Sequence, residues 1–267
     1  MNSKKRDLNF LDRPELTRLI FYPRKPVGPT RETKDSFSVS FYVDKDIDIV
    51  GRFYRTEAYQ QAPTILFFHG NGEIATDYDF IGPSYQQMGI NFFVADYRGY
   101  GLSGGKPSFS SMVEDAHSIF HSFREWLVNN EYAGPISVMG RSLGSASAIE
   151  LANKYQSQLS CLIIESGFAY TFNLLQRLGI PSSLLPPELE ELASSLPLVK
   201  TIKIPALIIH GEDDLIIPLE DGIALYKNLA SEDKEMLIIP KAGHNDLLLV
   251  GPQDYMAAIQ KIIMQSK

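Results

Sequence analysis

The sequence predicts an α/β fold: a mainly parallel sheet of about eight strands with helices on both faces and a small helical cap. Two observations lead there. Short unbroken apolar runs alternate with segments of helical period, as expected where strands are buried on both faces and joined by right-handed helical crossovers. One of these runs, Ile136-Ser137-Val138-Met139, ends in a tight turn that holds a serine between two glycines, Gly140-Arg141-Ser142-Leu143-Gly144, and a helix follows at once.

Residues 1–36 read as an N-terminal arm. Leu16 to Tyr22 suits a short helix or an extended segment, broken by Pro23, Pro26, Gly28 and Pro29. Phe37 to Val43 alternates with period two, and Asp48 to Arg55 follows after the turn Asp44-Lys45-Asp46, so the pair reads as an antiparallel lead-in. The domain proper spans 37–267. Thr64–Phe68 and Asn91–Ala95 are the next apolar strands. Ser110 to Asn130 places Met112, Val113, Ala116, Ile119, Phe120, Phe123, Trp126 and Leu127 on one helical face. After Ile136–Met139 comes a small-residue helix, Leu143 to Tyr155. Cys161–Glu165, Ala206–His210 and Met236–Ile239 are three more strands, and Leu219–Ala230 and Gln253–Met264 are helices. Residues 167–203 exceed an ordinary crossover. They are rich in Phe, Tyr and Leu and punctuated by Pro181, Pro186 and Pro187, and they read as the cap.

Composition narrows the function classes. Hydrophobic residues make up 44% of the 267 and charged residues 21%, an ordinary globular balance. The net charge of −7, with no basic run longer than Lys4-Lys5-Arg6, argues against nucleic acid or an anionic membrane surface as partner. The single cysteine, Cys161, sits in an apolar run and reads as an inert core residue. The first residues carry positive charge without an apolar stretch behind them, and no window is long and apolar enough to span a bilayer. The expected setting is cytoplasmic.

The chemistry concentrates after the strands. A serine at the tip of so sharp a turn is raised into solvent, and glycines on either side allow strand and helix to approach closely. The N–H of Leu143, at the start of the helix, faces the same space and is a candidate oxyanion donor. Such a serine needs a base and an acid to orient it. Of the five histidines, His117 and His121 share the polar face of the helix over 110–130 and read as a solvated face. His69 and His210 end strands and read as loop braces. His244 lies in the loop after the last strand and is the candidate base. The acid comes from Asp213 or Asp214, which follow another buried strand. Asn71, in the loop Gly70-Asn71-Gly72, is the first choice for the second oxyanion N–H and Gly72 the second. The order Ser, Asp, His matches the hydrolase template.

These pieces, with Asp96-Tyr97-Arg98-Gly99-Tyr100-Gly101-Leu102-Ser103, resemble the alpha/beta-hydrolase superfamily over about residues 37–265. They are similar to its branch of hydrolase-domain proteins that includes protein depalmitoylases. The resemblance implies Asp214 as the acid, three positions after the glycine of His210-Gly211-Glu212-Asp213-Asp214. It implies structural roles for Asp96 and Arg98. The chain departs from membrane-bound depalmitoylases in lacking a cysteine-rich or hydrophobic N-terminal anchor. The expectation is a serine hydrolase of a carboxylic ester or thioester, working through an acyl-serine intermediate. Ser142, Asp214 and His244 form its triad, the N–H groups of Asn71 and Leu143 hold the oxyanion, and no metal or organic cofactor takes part. Its partner is a small-molecule or acylated substrate. A small-peptide serine peptidase and a non-catalytic binding module are the alternatives.

Overall fold

The structure, a computed structural model, describes residues 9–185 and 194–266. Its centre is an eight-stranded sheet in the order β1-β2-β4-β3-β5-β6-β7-β8. The strands are β1 (Ser36–Asp44), β2 (Ile47–Tyr54), β3 (Thr64–Phe68), β4 (Asn91–Ala95), β5 (Ile136–Arg141), β6 (Leu162–Glu165), β7 (Ala206–Gly211) and β8 (Lys234–Ile239). β1 pairs with β2, and β2 with β4, antiparallel, while the remaining pairs are parallel. The lead-in hairpin therefore extends a parallel sheet at its β4 edge.

Strand periodicity divides the interior in two. Leu66 and Phe68 of β3 join one apolar cluster, Ile65 and Phe67 the other. The first cluster is covered by α3 (Phe109–Asn129), α4 (Ser145–Lys154) and α7 (Leu219–Asn228), and also takes in α1 (Pro14–Ile20). The second is covered by α2 (Gly82–Gln87), α8 (Leu247–Val250) and α9 (Pro252–Gln265). Ser108 caps α3, its hydroxyl accepting from the Ser111 N–H at 3.2 Å.

Two features go beyond the sequence reading. The arm is packed: Leu11, Leu16, Ile20 and Phe21 are buried in the same cluster as the sheet. And α2, with Pro83 in its first turn, forms where the sequence carries too short a periodic run to mark a helix. Between β6 and β7, the stretch expected to form the cap contains α5 (Thr171–Arg177) and α6 (Leu196–Val199); residues 186–193 of it lie outside the described ones.

At the end of β7, His210 is fully buried, its Nε2–H donating to the Ile217 carbonyl at 2.8 Å. A Cβ on Gly222 would lie 2.6 Å from its Nδ1, so only glycine leaves the ring its space. Burial holds the His210 pKa below that of an ordinary histidine. The unfolded chain therefore takes up a proton at about pH 6.5, where folded His210 does not, and stability falls as pH drops through that value. Urea unfolding between about pH 7.5 and 5.5 is expected to show this decline, and His210→Gln a shallower one. Equal slopes in both proteins would contradict the assignment.

Candidate active site

The turn after β5 is built by close backbone approach. Ser142 takes φ = +50°, a left-handed conformation that costs a non-glycine residue about 1–3 kcal/mol and survives only where its surroundings enforce it. Those surroundings are tight. A Cβ on Gly144 would stand 2.1 Å from the Phe68 carbonyl oxygen, and one on Gly140 would stand 2.4 Å from that of Gly144. The Ser145 hydroxyl donates to the Ser142 carbonyl at 2.6 Å and closes the turn. The serine turn is thereby pressed against the end of β3, where the His69-Gly70-Asn71-Gly72 loop begins.

The candidate acid and base come from the loops after β7 and β8. A Cβ on Gly211 would fall 2.4 Å from the Ala242 carbonyl, and the Asp213 N–H donates to that carbonyl at 2.9 Å. The two loops therefore lie against each other. Of the two adjacent aspartates, Asp213 is exposed and Asp214 buried. Asp214 Oδ2 lies 2.7 Å from His244 Nδ1, and His244 Nε2 lies 2.9 Å from Ser142 Oγ. The other carboxylate oxygen, Oδ1, accepts from the N–H groups of Ile216 and Ile217 at 2.9 and 2.8 Å. Burial alone would raise the Asp214 pKa, but the hydrogen bond and charge of His244 and the Ile217 N–H outweigh it and hold the carboxyl below the usual range. Asp214 is thus held as an anion, oriented by two backbone donors on one oxygen and the imidazole on the other.

Asn71 and Leu143 border the same cavity as Ser142 and His244. The Asn71 side chain does a different job from the one its backbone was singled out for. Its Oδ1 accepts from the Tyr22 N–H at 3.0 Å and the Tyr100 hydroxyl at 2.7 Å, and its Nδ2 donates to the Ile20 carbonyl. Arg24 Nε donates to the Gly72 carbonyl at 2.6 Å, and its guanidinium pairs with Asp77. The arm is in this way fastened to the loop through three of its residues. The cavity has a volume of about 200 Å³, and its walls are mostly Leu, Ile and Phe.

Arg141, beside the serine, is the principal residue that sequence reasoning passed over. Its guanidinium is nearly buried and reaches four partners. Nε donates to Glu165 at 3.0 Å, Nη1 pairs with Glu73, and Nη2 donates to the His244 carbonyl at 2.8 Å and to Asn245 Oδ1 at 2.9 Å. Glu73 in turn accepts from the Gly70 N–H at 2.7 Å and the Tyr78 hydroxyl at 2.8 Å, and Glu165 from the Tyr255 hydroxyl at 2.6 Å. Burial would lower the Arg141 pKa, but Glu165 and Glu73 outweigh it and keep the group charged. The signal available in the sequence was an arginine at the end of an otherwise apolar strand, a place that demands partners.

The remaining candidates have other roles. His69 is buried, 3.1 Å from Asp96 Oδ1, which also accepts from the Ala75 N–H at 2.8 Å. Arg98 makes a two-pronged pair with Asp115, both contacts at 2.7 Å. His117 is half-buried and His121 exposed, on the polar face as expected, and both rings also contact the Tyr155 hydroxyl of the neighbouring segment, at 3.1 and 2.9 Å. Burial pushes the Cys161 thiol up to about 12, and that side chain is inert core. Among the described residues, no cluster of His, Cys, Asp and Glu is arranged to hold a metal ion, and no helix is long and apolar enough to cross a membrane. Arg141→Met leaves two carboxylates without their cation. It is expected to destabilise the protein by about 3–5 kcal/mol in urea titration, and an unchanged midpoint would show that the network contributes nothing.

Comparison with known proteins identifies the family and the fold. A sequence model of the family described as serine aminopeptidase, S33, matches residues 60–178 and 188–248. Protein bem46 of Schizosaccharomyces pombe is 30% identical over 198 residues, 73% of this chain and 66% of that protein. Alpha/beta hydrolase domain-containing protein 17B of Xenopus laevis is 28% identical over 209 residues, 76% and 66% respectively. The chain thus spans just under two thirds of the length of these relatives. Among solved structures, the Pyrococcus furiosus esterase Pf2001 superposes with a TM-score of 0.73 at 20% identity, over 91% of this chain and 98% of that one, a likeness of fold. The family match covers more than half of the chain, and the sheet is of the expected architecture. This protein is therefore a member of the serine aminopeptidase S33 family of alpha/beta hydrolases.

Proposed function

We propose that this chain is a serine hydrolase that cleaves a carboxylic ester or thioester carrying an apolar acyl group. The observation that carries the reading is the continuous line from Ser142 Oγ to His244 Nε2 at 2.9 Å and from His244 Nδ1 to Asp214 at 2.7 Å, with the hydroxyl bordering an apolar cavity. In this mechanism His244 carries its proton on Nδ1, donated to Asp214, and Nε2 accepts the Ser142 proton as Oγ attacks the acyl carbon. The carbonyl oxygen, now negative, is held by the N–H groups of Leu143 and Asn71, each donor worth about 2.7–4 kcal/mol of barrier. His244 delivers its proton to the departing alcohol or thiol, and the acyl group stays on Ser142. Water then attacks the acyl-serine, giving His244 a proton that returns to Oγ, and the carboxylic acid leaves. No step calls for a group from outside the chain other than water.

The family description names a peptidase, so an aminoacyl amide belongs in the test beside the esters. A fluorophosphonate probe is expected to label the wild-type protein and not Ser142→Ala, and Ser142→Ala to lose p-nitrophenyl ester hydrolysis by a factor on the order of 10⁶. A folded wild-type protein that neither labels nor cleaves an ester, thioester or aminoacyl amide would reverse the conclusion in favour of a binding module.

A further inference from the structure

The cavity beside Ser142 has a size and a chemistry, and together they narrow the acyl group. Its apolar wall is assembled from separate parts of the chain: Ile20 of α1, Phe109 at the start of α3, Phe168 after β6, Leu174 and Leu175 of α5, and Leu178 directly after α5. Leu178, whose N–H donates to the Leu174 carbonyl at 3.0 Å, caps α5 one turn beyond Leu174 and on the same side. None of these six side chains carries a charge or a hydrogen-bonding group. The polar side chains that also border the cavity, Asn71, Arg141, Thr171 and Asn245, are already engaged with other residues, so the wall offers little to a charged or strongly polar acyl substituent, whose burial without partners is costly.

The volume is about 200 Å³. An apolar cavity of about 150 Å³ is known to accept benzene, so this one takes an acyl group of about six to eight carbons. A palmitoyl chain is about twice that size.

The arm limits enlargement. Ile20 brings its side chain to the wall while its carbonyl accepts from Asn71 Nδ2, and the next contact along the arm, Tyr22 N–H to Asn71 Oδ1, is 3.0 Å. Swinging the arm outward to admit a longer chain breaks these bonds and frees the very loop that holds the proposed oxyanion donor. The pocket and the oxyanion loop are thus mechanically one unit.

We propose that this protein is selective for short and medium uncharged acyl groups, up to about eight carbons, and that Ile20 and Leu178 set the limit. This rests on the serine hydrolase reading above and narrows its substrate class. The test is kcat/KM for the p-nitrophenyl ester series from acetate through butyrate, hexanoate, octanoate and laurate to palmitate, each below its aggregation threshold. Each methylene that enters the cavity is expected to raise kcat/KM by about fourfold. The rise stops at hexanoate or octanoate, and laurate and palmitate fall at or below that level. Ile20→Ala and Leu178→Ala move the break to longer chains, and Leu178→Trp moves it to shorter ones. A steady rise through palmitate, or a break that stays in place in all three variants, overturns the size limit while leaving the hydrolase reading intact. Failure to turn over any ester, together with absent fluorophosphonate labelling, overturns both.

Discussion

One buried cation holds the functional edge of the sheet together. Arg141 touches the end of β6 through Glu165, the loop after β3 through Glu73, and the loop after β8 through the His244 carbonyl and Asn245. Each of those segments carries a residue of the site or borders one. A guanidinium suits the position because its donors point outward in one plane and stay charged when dehydrated. A lysine would offer a single point of charge and could not span the same partners. The desolvation of two carboxylates and a guanidinium is compensated only when every donor and acceptor is used, and here the hydroxyls of Tyr78 and Tyr255 occupy the outer carboxylate oxygens. The network is therefore better understood as a device for alignment than as a source of net stability.

Alignment also depends on atoms that are absent. Gly144 lets the serine turn reach β3, and Gly211 lets the loop of Asp214 reach the loop of His244, each at a separation no Cβ would permit. The left-handed Ser142 is the complementary feature, a strained residue enclosed by contacts that deny it an alternative. Hydrophobic burial sets where the strands run, but it acts over areas and cannot place a hydroxyl to within a fraction of an ångström. Close approach, strain and directional hydrogen bonds do that here.

The same distinction explains what could be read from the chain. The strands at 64–68, 91–95 and 206–210 were legible because a run of Ile, Leu, Phe and Val is a local signal. Ser142 was legible because the turn needs its glycines within two residues on each side. The acid was left between Asp213 and Asp214 by residue chemistry, since neighbours on a loop differ only in direction; resemblance favoured the second, and the structure buries that one against His244. The role of Arg141 was not legible, because its partners lie at Glu73, Glu165 and Asn245, far along the chain. Nor was α2, which is held by the burial of Tyr85 against the sheet and not by propensity. The histidines at 117 and 121 stand on the polar face as read, but their contact with Tyr155 was not legible, because that partner belongs to another element.

The arm shows how a segment with weak local signals acquires a specific role. Between Pro14 and Pro29 the sequence has a short helix-forming stretch and then breakers, which alone suggests a loosely attached tail. Leu16, Ile20 and Phe21 give it an apolar side long enough to enter the core, and that docking fixes the backbone that follows. Once fixed, the Ile20 carbonyl and the Tyr22 N–H meet the two ends of the Asn71 amide, a pairing that satisfies a donor and an acceptor at once and holds the side chain in one orientation. The loop after β3 is then braced from two sides, by the arm at Asn71 and Gly72 and by Glu73 at Gly70. A loop proposed to carry a backbone donor for a transient anion has to be rigid before the charge develops, because reorganisation during the reaction would cancel the benefit. By that criterion the arm belongs to the site as much as the strands do.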